Sequence, residues 1–253
     1  KNSRPPDALD GLLNDDMLDG LVPKEFKLLQ ARNAEPKIIV NGAMEVIAQL
    51  AGKIAERKAE ALKLYEPLPN QSPFFSSFAP ERIASGSVRS GKTMVAAVEV
   101  ARAVTGQDPY GKWPKTDGVI YIVGISELHL ADPIHKKLFR AQDNFKMIRD
   151  KTSWRWLAYR PWDPDDLERD KEVKCAPPLI PPRFVKDIAW HSKKENQPAM
   201  VTLHPGWELS FYSSLGKPPH GADIDGWWFD EEIVDPDWYS EMSARVIDRM
   251  GVG

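Results

Sequence analysis

A single cysteine, Cys175, stands among 253 residues, which excludes a disulfide framework and any zinc site built from cysteines. The five histidines, His129, His135, His191, His204 and His220, show no metal-ligand spacing, so surface or loop roles are expected for them. No apolar run reaches the roughly 20 residues that a membrane-spanning helix needs. Nothing near Lys1 resembles a signal peptide, and no internal repeat is visible. The formal charge of −3, from 34 basic and 37 acidic side chains, supplies no global positive field that would advertise a nucleic-acid partner. What remains is 42% hydrophobic, enough to bury one good core with a small appendage. The expectation is a soluble protein of a reducing cytoplasm with no membrane partner.

Against that plain background two motifs carry chemistry. Residues Gly86, Ser87, Val88, Arg89, Ser90, Gly91, Lys92 and Thr93 form a complete G-x-x-x-x-G-K-[ST] phosphate-binding loop. Its glycines let backbone N–H groups turn inward around phosphate oxygens at the start of a helix. Lys92 is expected to reach the β- and γ-phosphates of ATP, and the Thr93 hydroxyl to complete a Mg²⁺ shell. The sequence before the loop, Arg82 to Ser85, predicts a short strand, and Thr93 to Ala101 is a strong helix former. Far downstream, Gly226 to Glu232 reads as an apolar strand ending in acidic residues. Asp230, at its carboxyl end, is placed to hold the same Mg²⁺, and Glu231 to polarise the attacking water.

The rest of the chain supplies a frame. Leu9, Leu12, Leu13, Met17 and Leu21 recur at helical spacing among acidic residues, and a second helix is predicted from about Ala43 to Tyr65 with Asn41 as its cap. Residues 1–65 are thus a helical segment and 66–253 an ATPase domain. Pro67, Pro69 and Pro73 mark an extended connector that holds Gln71, Phe74 and Phe75. Gln71 could pair adenine through its amide while an aromatic stacks on the base; the other reading is a solvated linker glutamine. Val119 to Gly124 suits a parallel strand covered on both faces, and a helix is predicted from about Leu130 to Arg149. Met200 to Leu203 and Trp207 to Tyr212 predict a β-hairpin. Strands alternating with helices argue for an α/β fold with the nucleotide at the carboxyl ends of its strands.

Several of these features together resemble one family, the large terminase subunits that package double-stranded DNA into tailed-phage capsids. They are Gln71 ahead of the loop, Arg89 within it, Val123-Gly124-Ile125-Ser126, Leu179-Ile180-Pro181-Pro182 before Ile188-Ala189-Trp190, Leu209 to Ser214, and His220-Gly221-Ala222-Asp223 leading into Trp228-Phe229-Asp230-Glu231-Glu232. The resemblance spans roughly residues 66–253. It implies a P-loop NTPase of the additional-strand (ASCE) type, with a mainly parallel central sheet flanked by helices, acting in a homo-oligomeric ring on a portal in the cytoplasm of an infected bacterial host. It also implies that Arg89 is a finger stabilising charge on the transferring phosphoryl group; a solvated or carboxylate-paired loop arginine is the other reading. Full-length relatives carry a nuclease domain and a coupling segment after the Asp-Glu strand. Neither is legible before Gly253, so no DNA cleavage is expected from this chain. The N-terminal helices could dock a small terminase subunit, the portal or their own ATPase core.

Two readings stay open for the basic stretch Lys136, Lys137, Arg140, Lys146, Arg149, Lys151, Arg155 and Arg160, interleaved with Phe139, Phe145, Trp154, Trp156 and Tyr159. It could contact DNA phosphates without regard to sequence, or be a solvated helix face with its aromatics in the core. The acidic run Asp163, Asp165, Asp166, Glu168 and Asp170 weakens the first locally. The competing function is a helicase-like ATPase on single strands or RNA. A third class is a nucleotide switch, against which Glu231 argues, or a small-molecule kinase, for whose acceptor pocket no sequence feature speaks.

Overall fold

A computed structural model describes residues 36–249 of the protein apart from 142–144, 205 and 234. The acidic helix expected around Leu9 to Leu21 lies outside the described residues. The chain divides into two compact units, Lys1–Lys58 and Ala59–Gly253. In the first, helix α1 runs Pro36–Lys58. The predicted helix from Ala43 to Tyr65 is therefore corrected at both ends. The helix opens at a proline, whose missing N–H costs nothing in a first turn, so Asn41 lies inside it rather than capping it. It stops before Glu60, whose extended backbone (φ −61°, ψ 140°) separates it from the short α2, Ala61–Leu64.

In the second unit follow α3 (Ser72–Ser76), α4 (Lys92–Val104), β1 (Val119–Gly124) and α5 (Glu127–His129), which runs into a π-type turn at Leu130–Ile134 and then α6 (His135–Phe139). Next come β2 (Lys146–Arg149), β3 (Trp156–Ala158), α7 (Pro164–Leu167), β4 (Lys174–Cys175), β5 (Val185–Ser192), β6 (Gln197–Leu203), β7 (Glu208–Ser213), β8 (Gly226–Asp230) and α8 (Asp237–Arg249). The five-stranded sheet has the order β5-β6-β7-β1-β8, and a smaller one has the order β3-β2-β4.

Strand β1 explains the layering. Its alternate residues Ile120 and Ile122 enter one buried cluster with Val95, Val98 and Val104 of α4. Tyr121 and Val123 point the other way, to Trp238, Met242 and Val246 of α8. Period-two alternation on a strand covered on both faces thus produces a sheet with a helix on each side. The α/β expectation holds, and the hairpin predicted near Met200 to Tyr212 is the antiparallel pair β6·β7.

The sheet is mixed rather than mainly parallel. Strand β1 runs parallel to β7 and β8, whereas β6 is antiparallel to both β5 and β7. The cause is connection length: residues 193–196 and 204–207 are too few for the crossover that parallel neighbours require.

Two further expectations are corrected. The helix predicted from Leu130 to Arg149 ends at Phe139; Arg140 is extended, and the Leu138 carbonyl accepts from Ile180 N at 2.8 Å instead of from the next helical turn. Lys146–Arg149 is a strand paired on both sides. The segment Arg82 to Ser85 forms no strand. Ile83 is 91% exposed, so the segment has no apolar row to bury in a sheet interior.

Candidate functional site

The glycine-bearing segment Gly86 to Thr93 opens onto α4, as the sequence predicts. Gly91 stands at φ 87°, a conformation that costs a residue without Cβ little, and no side chain caps the helix behind it. The first-turn N–H groups of a helix have no intrahelical acceptor, so here they offer an uncapped anion site. Lys92 Nζ donates to the loop's own carbonyls, Gly86 O at 2.9 Å and Ser87 O at 3.0 Å. Ser90 Oγ is buried without a hydrogen-bond partner. A Cβ on Gly86 would sit 2.7 Å from that hydroxyl, so the glycine is what lets the loop fold over it.

Strand β8 delivers the second motif to the same place. Thr93 Oγ1 donates to Asp230 Oδ2 at 3.3 Å, across 137 residues of chain. Asp230 is buried and aligned with Gly124 at the carboxyl end of β1. Two hard oxygen donors thus converge next to the Gly86 to Thr93 loop. They fit Mg²⁺, which binds through one or two protein oxygens together with substrate phosphates. Among the described residues no group of three or more His, Cys, Asp or Glu side chains could hold a metal by itself, so a cation here would need water or ligand oxygens to complete its shell.

Glu231 follows directly, exposed, with φ 78°. Arg89 is also exposed, with φ 65°, and Val88 beside it is 88% exposed. Left-handed backbone is costly for residues with a Cβ and concentrates where a site requires it. The site therefore brings together Lys92, Thr93, Asp230 and the loop backbone, whereas Arg89 and Glu231 stand at its solvent side.

A cavity of about 560 Å³ runs from the loop past Ser90, Arg82 and Phe74 to Gln71. Gln71 braces the loop: its Nε2 lies 3.5 Å from Ser90 O, and its Oε1 accepts from Tyr65 OH and Leu68 N, each at 3.1 Å. Burial pushes the Tyr65 phenol up to about 12, against the pull of Arg102, so it remains a donor. Phe74 carries the Arg82 guanidinium 4.9 Å from its ring centre.

Sequence reasoning missed two histidines. His129 reaches Asp230 from the short turn after β1, and His135 is buried, so it has neither the surface nor the loop role expected. The place of His129, a few residues past a strand end beside the Asp-Glu strand, was the available signal. Also missed was a buried knot in which Glu99 holds Arg82 and Lys112.

The basic stretch is no single helix face: Lys136 and Lys137 are on α6, Lys146 and Arg149 on β2, and Arg140, Lys151, Arg155 and Arg160 in the connections. Lys136 pairs with Asp132, Arg140 bonds Asn196, and Arg160 bonds Glu66 at 2.6 Å. Arg149 lies over Trp156 and Lys146 over Tyr159. Trp154 is 70% exposed, so its aromatics are not all in a core. No described helix is long and apolar enough to cross a membrane. In comparison with known proteins, the chain matches no family model, no curated protein and no solved structure.

Proposed function

We propose that residues 66–253 act as an additional-strand P-loop ATPase, the motor domain of a DNA-packaging terminase large subunit. The observation that carries the ATPase reading is the meeting of Thr93 and Asp230 beneath an uncapped phosphate loop. The terminase assignment adds the motif order from Gln71 to Glu232. In this reading Lys92 leaves the loop carbonyls for the β- and γ-phosphates. Thr93 and Asp230 hold Mg²⁺, which supplies charge neutralisation at the phosphate oxygens. Glu231 takes a proton from the water that attacks the γ-phosphorus as the bond to the β-phosphate oxygen breaks. Arg89, on the open side of the loop, meets charge on the transferring group. Work on duplex DNA would take place in a ring on a procapsid portal, in the host cytoplasm, with a small terminase subunit as a further partner.

The test is steady-state phosphate release from ATP, with duplex DNA, single-stranded DNA or neither. Wild-type turnover should rise with duplex. Glu231→Ala should keep ATP bound but stall hydrolysis, and Lys92→Ala should lose binding. Equal loss of ATP binding in both variants would refute the assigned roles. Stimulation by single strands alone would move the assignment to a helicase-like ATPase.

A further inference from the structure

Asp230 Oδ2 carries a group that the nucleotide reading does not use. His129 Nε2 lies 2.8 Å from it, on the same oxygen that accepts from Thr93. A carboxylate oxygen only accepts, so the imidazole presents Nε2–H and donates. Three features of the chain build the contact. Ser126 Oγ accepts from His129 N at 3.2 Å and starts the α5 turn, folding the residue back toward the strand end. Gly124 leaves room for the ring: a Cβ there would lie 3.1 Å from His129 Cδ2 and 3.0 Å from Leu130 Cδ2. Gly124 is also the register partner of Asp230, so the imidazole spans from one strand end to its neighbour. The ring keeps 19% exposure and the carboxylate 9%, so little water competes for the bond.

We propose that His129 is a positioning residue for the cation site. Its Nε2–H fixes the Asp230 carboxylate so that the remaining lone pairs face Mg²⁺ together with the Thr93 hydroxyl. The inference rests on the nucleotide reading above. A donor behind a metal-holding carboxylate sets its orientation, and loss of such a partner typically weakens metal binding about 10–100-fold. His129 touches neither phosphate nor water in this role; it acts through Asp230.

The experiment measures Mn²⁺ bound in the presence of a non-hydrolysable ATP analogue, by loss of the free-ion paramagnetic resonance signal. Analogue binding in EDTA is measured beside it. His129→Ala should weaken Mn²⁺ about 10-fold or more and leave binding in EDTA unchanged. His129→Gln, which carries an N–H at similar reach, should recover most of the loss. Gly124→Ala, which crowds the ring while keeping it, should weaken Mn²⁺ in the same direction. Unchanged Mn²⁺ affinity in His129→Ala overturns the inference, as does equal weakening in the Ala and Gln variants or a loss that is already present in EDTA. A wild-type protein that binds no analogue overturns the nucleotide reading itself. A wild type that binds both, beside a His129→Ala that holds Mn²⁺ as tightly, removes only the role of His129.

Discussion

Replacing Glu99 by Gln should unfold this protein more readily than any change to its Gly86 to Thr93 loop. Glu99 lies within α4 at 3% exposure. Its Oε1 accepts from Arg82 NH1 at 2.9 Å, Lys112 Nζ at 2.6 Å and Trp113 Nε1 at 3.0 Å. The two cationic side chains are 6% and 2% exposed. The neutral amide keeps the shape but strands two buried positive charges. Removing one partner of a buried pair costs about 3–5 kcal/mol, which for a unit of this size lowers Tm by roughly 6–20 °C. The pH dependence has a definite sign. Burial already pulls Lys112 below its ordinary value, and the bond to Glu99 opposes that pull. Without the carboxylate the ammonium is pulled lower still, and a deprotonated lysine strands no charge. The deficit should therefore narrow as pH rises, over a window that lies below the ordinary lysine range. Thermal melts followed by circular dichroism at about pH 7 and about pH 9.5 test this directly. Adding Lys112→Met should recover part of the loss. A Glu99→Gln protein that melts within about 1 °C of wild type at neutral pH would refute the reasoning, because the buried knot could then not have the charge state assigned to it.

Two other outcomes follow from particular side chains. Gln71→Ala should raise KM for ATP more than for GTP if the amide reads the base; an equal rise for both would make Gln71 a brace for the Ser90 carbonyl alone. His135 is 3% exposed between Phe139 and Trp190, and burial, aided by the Arg140 charge, pulls its pKa from 6.5 down to about 4. Between those values the unfolded chain binds a proton that the folded one refuses, so stability is full above about 6.5 and falls by up to about 3 kcal/mol toward pH 4. Urea midpoints across that range should show the slope in wild type and a flatter one in His135→Leu; equal slopes would place the acid sensitivity elsewhere.

The sheet core was legible because burial on both faces leaves a continuous apolar run. Val119 to Gly124 could be little else, and the hairpin declared itself through alternating residues around a short connection. That the two motifs meet was legible from their fixed spacing, and the fold brings Thr93 to Asp230. What could not be read were decisions made by distant partners. The helix predicted through Arg149 ends where Ile180 takes the Leu138 carbonyl. The hairpin already implied one antiparallel pair; that β5 also pairs antiparallel with β6 in the same sheet was not read. His129 and Glu99 gain their surroundings only when strand ends and helix faces come together, and a mid-helix glutamate otherwise reads as solvated.

The missing strand ahead of the loop gives the Glu99 knot a functional consequence. With no sheet ladder over Arg82 to Ser85, side chains must hold the approach to Gly86. Arg82 is tied to Glu99 and to Phe74 O, and Lys112 reaches from the same carboxylate to Phe75 O. On the other side Glu81 accepts from Tyr239 OH at 2.6 Å and Ser243 Oγ at 3.4 Å, both on α8. Arg82 and Phe74 line the cavity that would take the base and sugar, so loosening Arg82 should loosen that wall while Lys92, Thr93 and Asp230 stay where β8 and α4 put them. Assayed well below its melting temperature, Glu99→Gln should therefore raise KM for ATP with a smaller effect on kcat. A KM equal to wild type would mean that the loop holds its shape without the knot, and the stability role of Glu99 would stand alone.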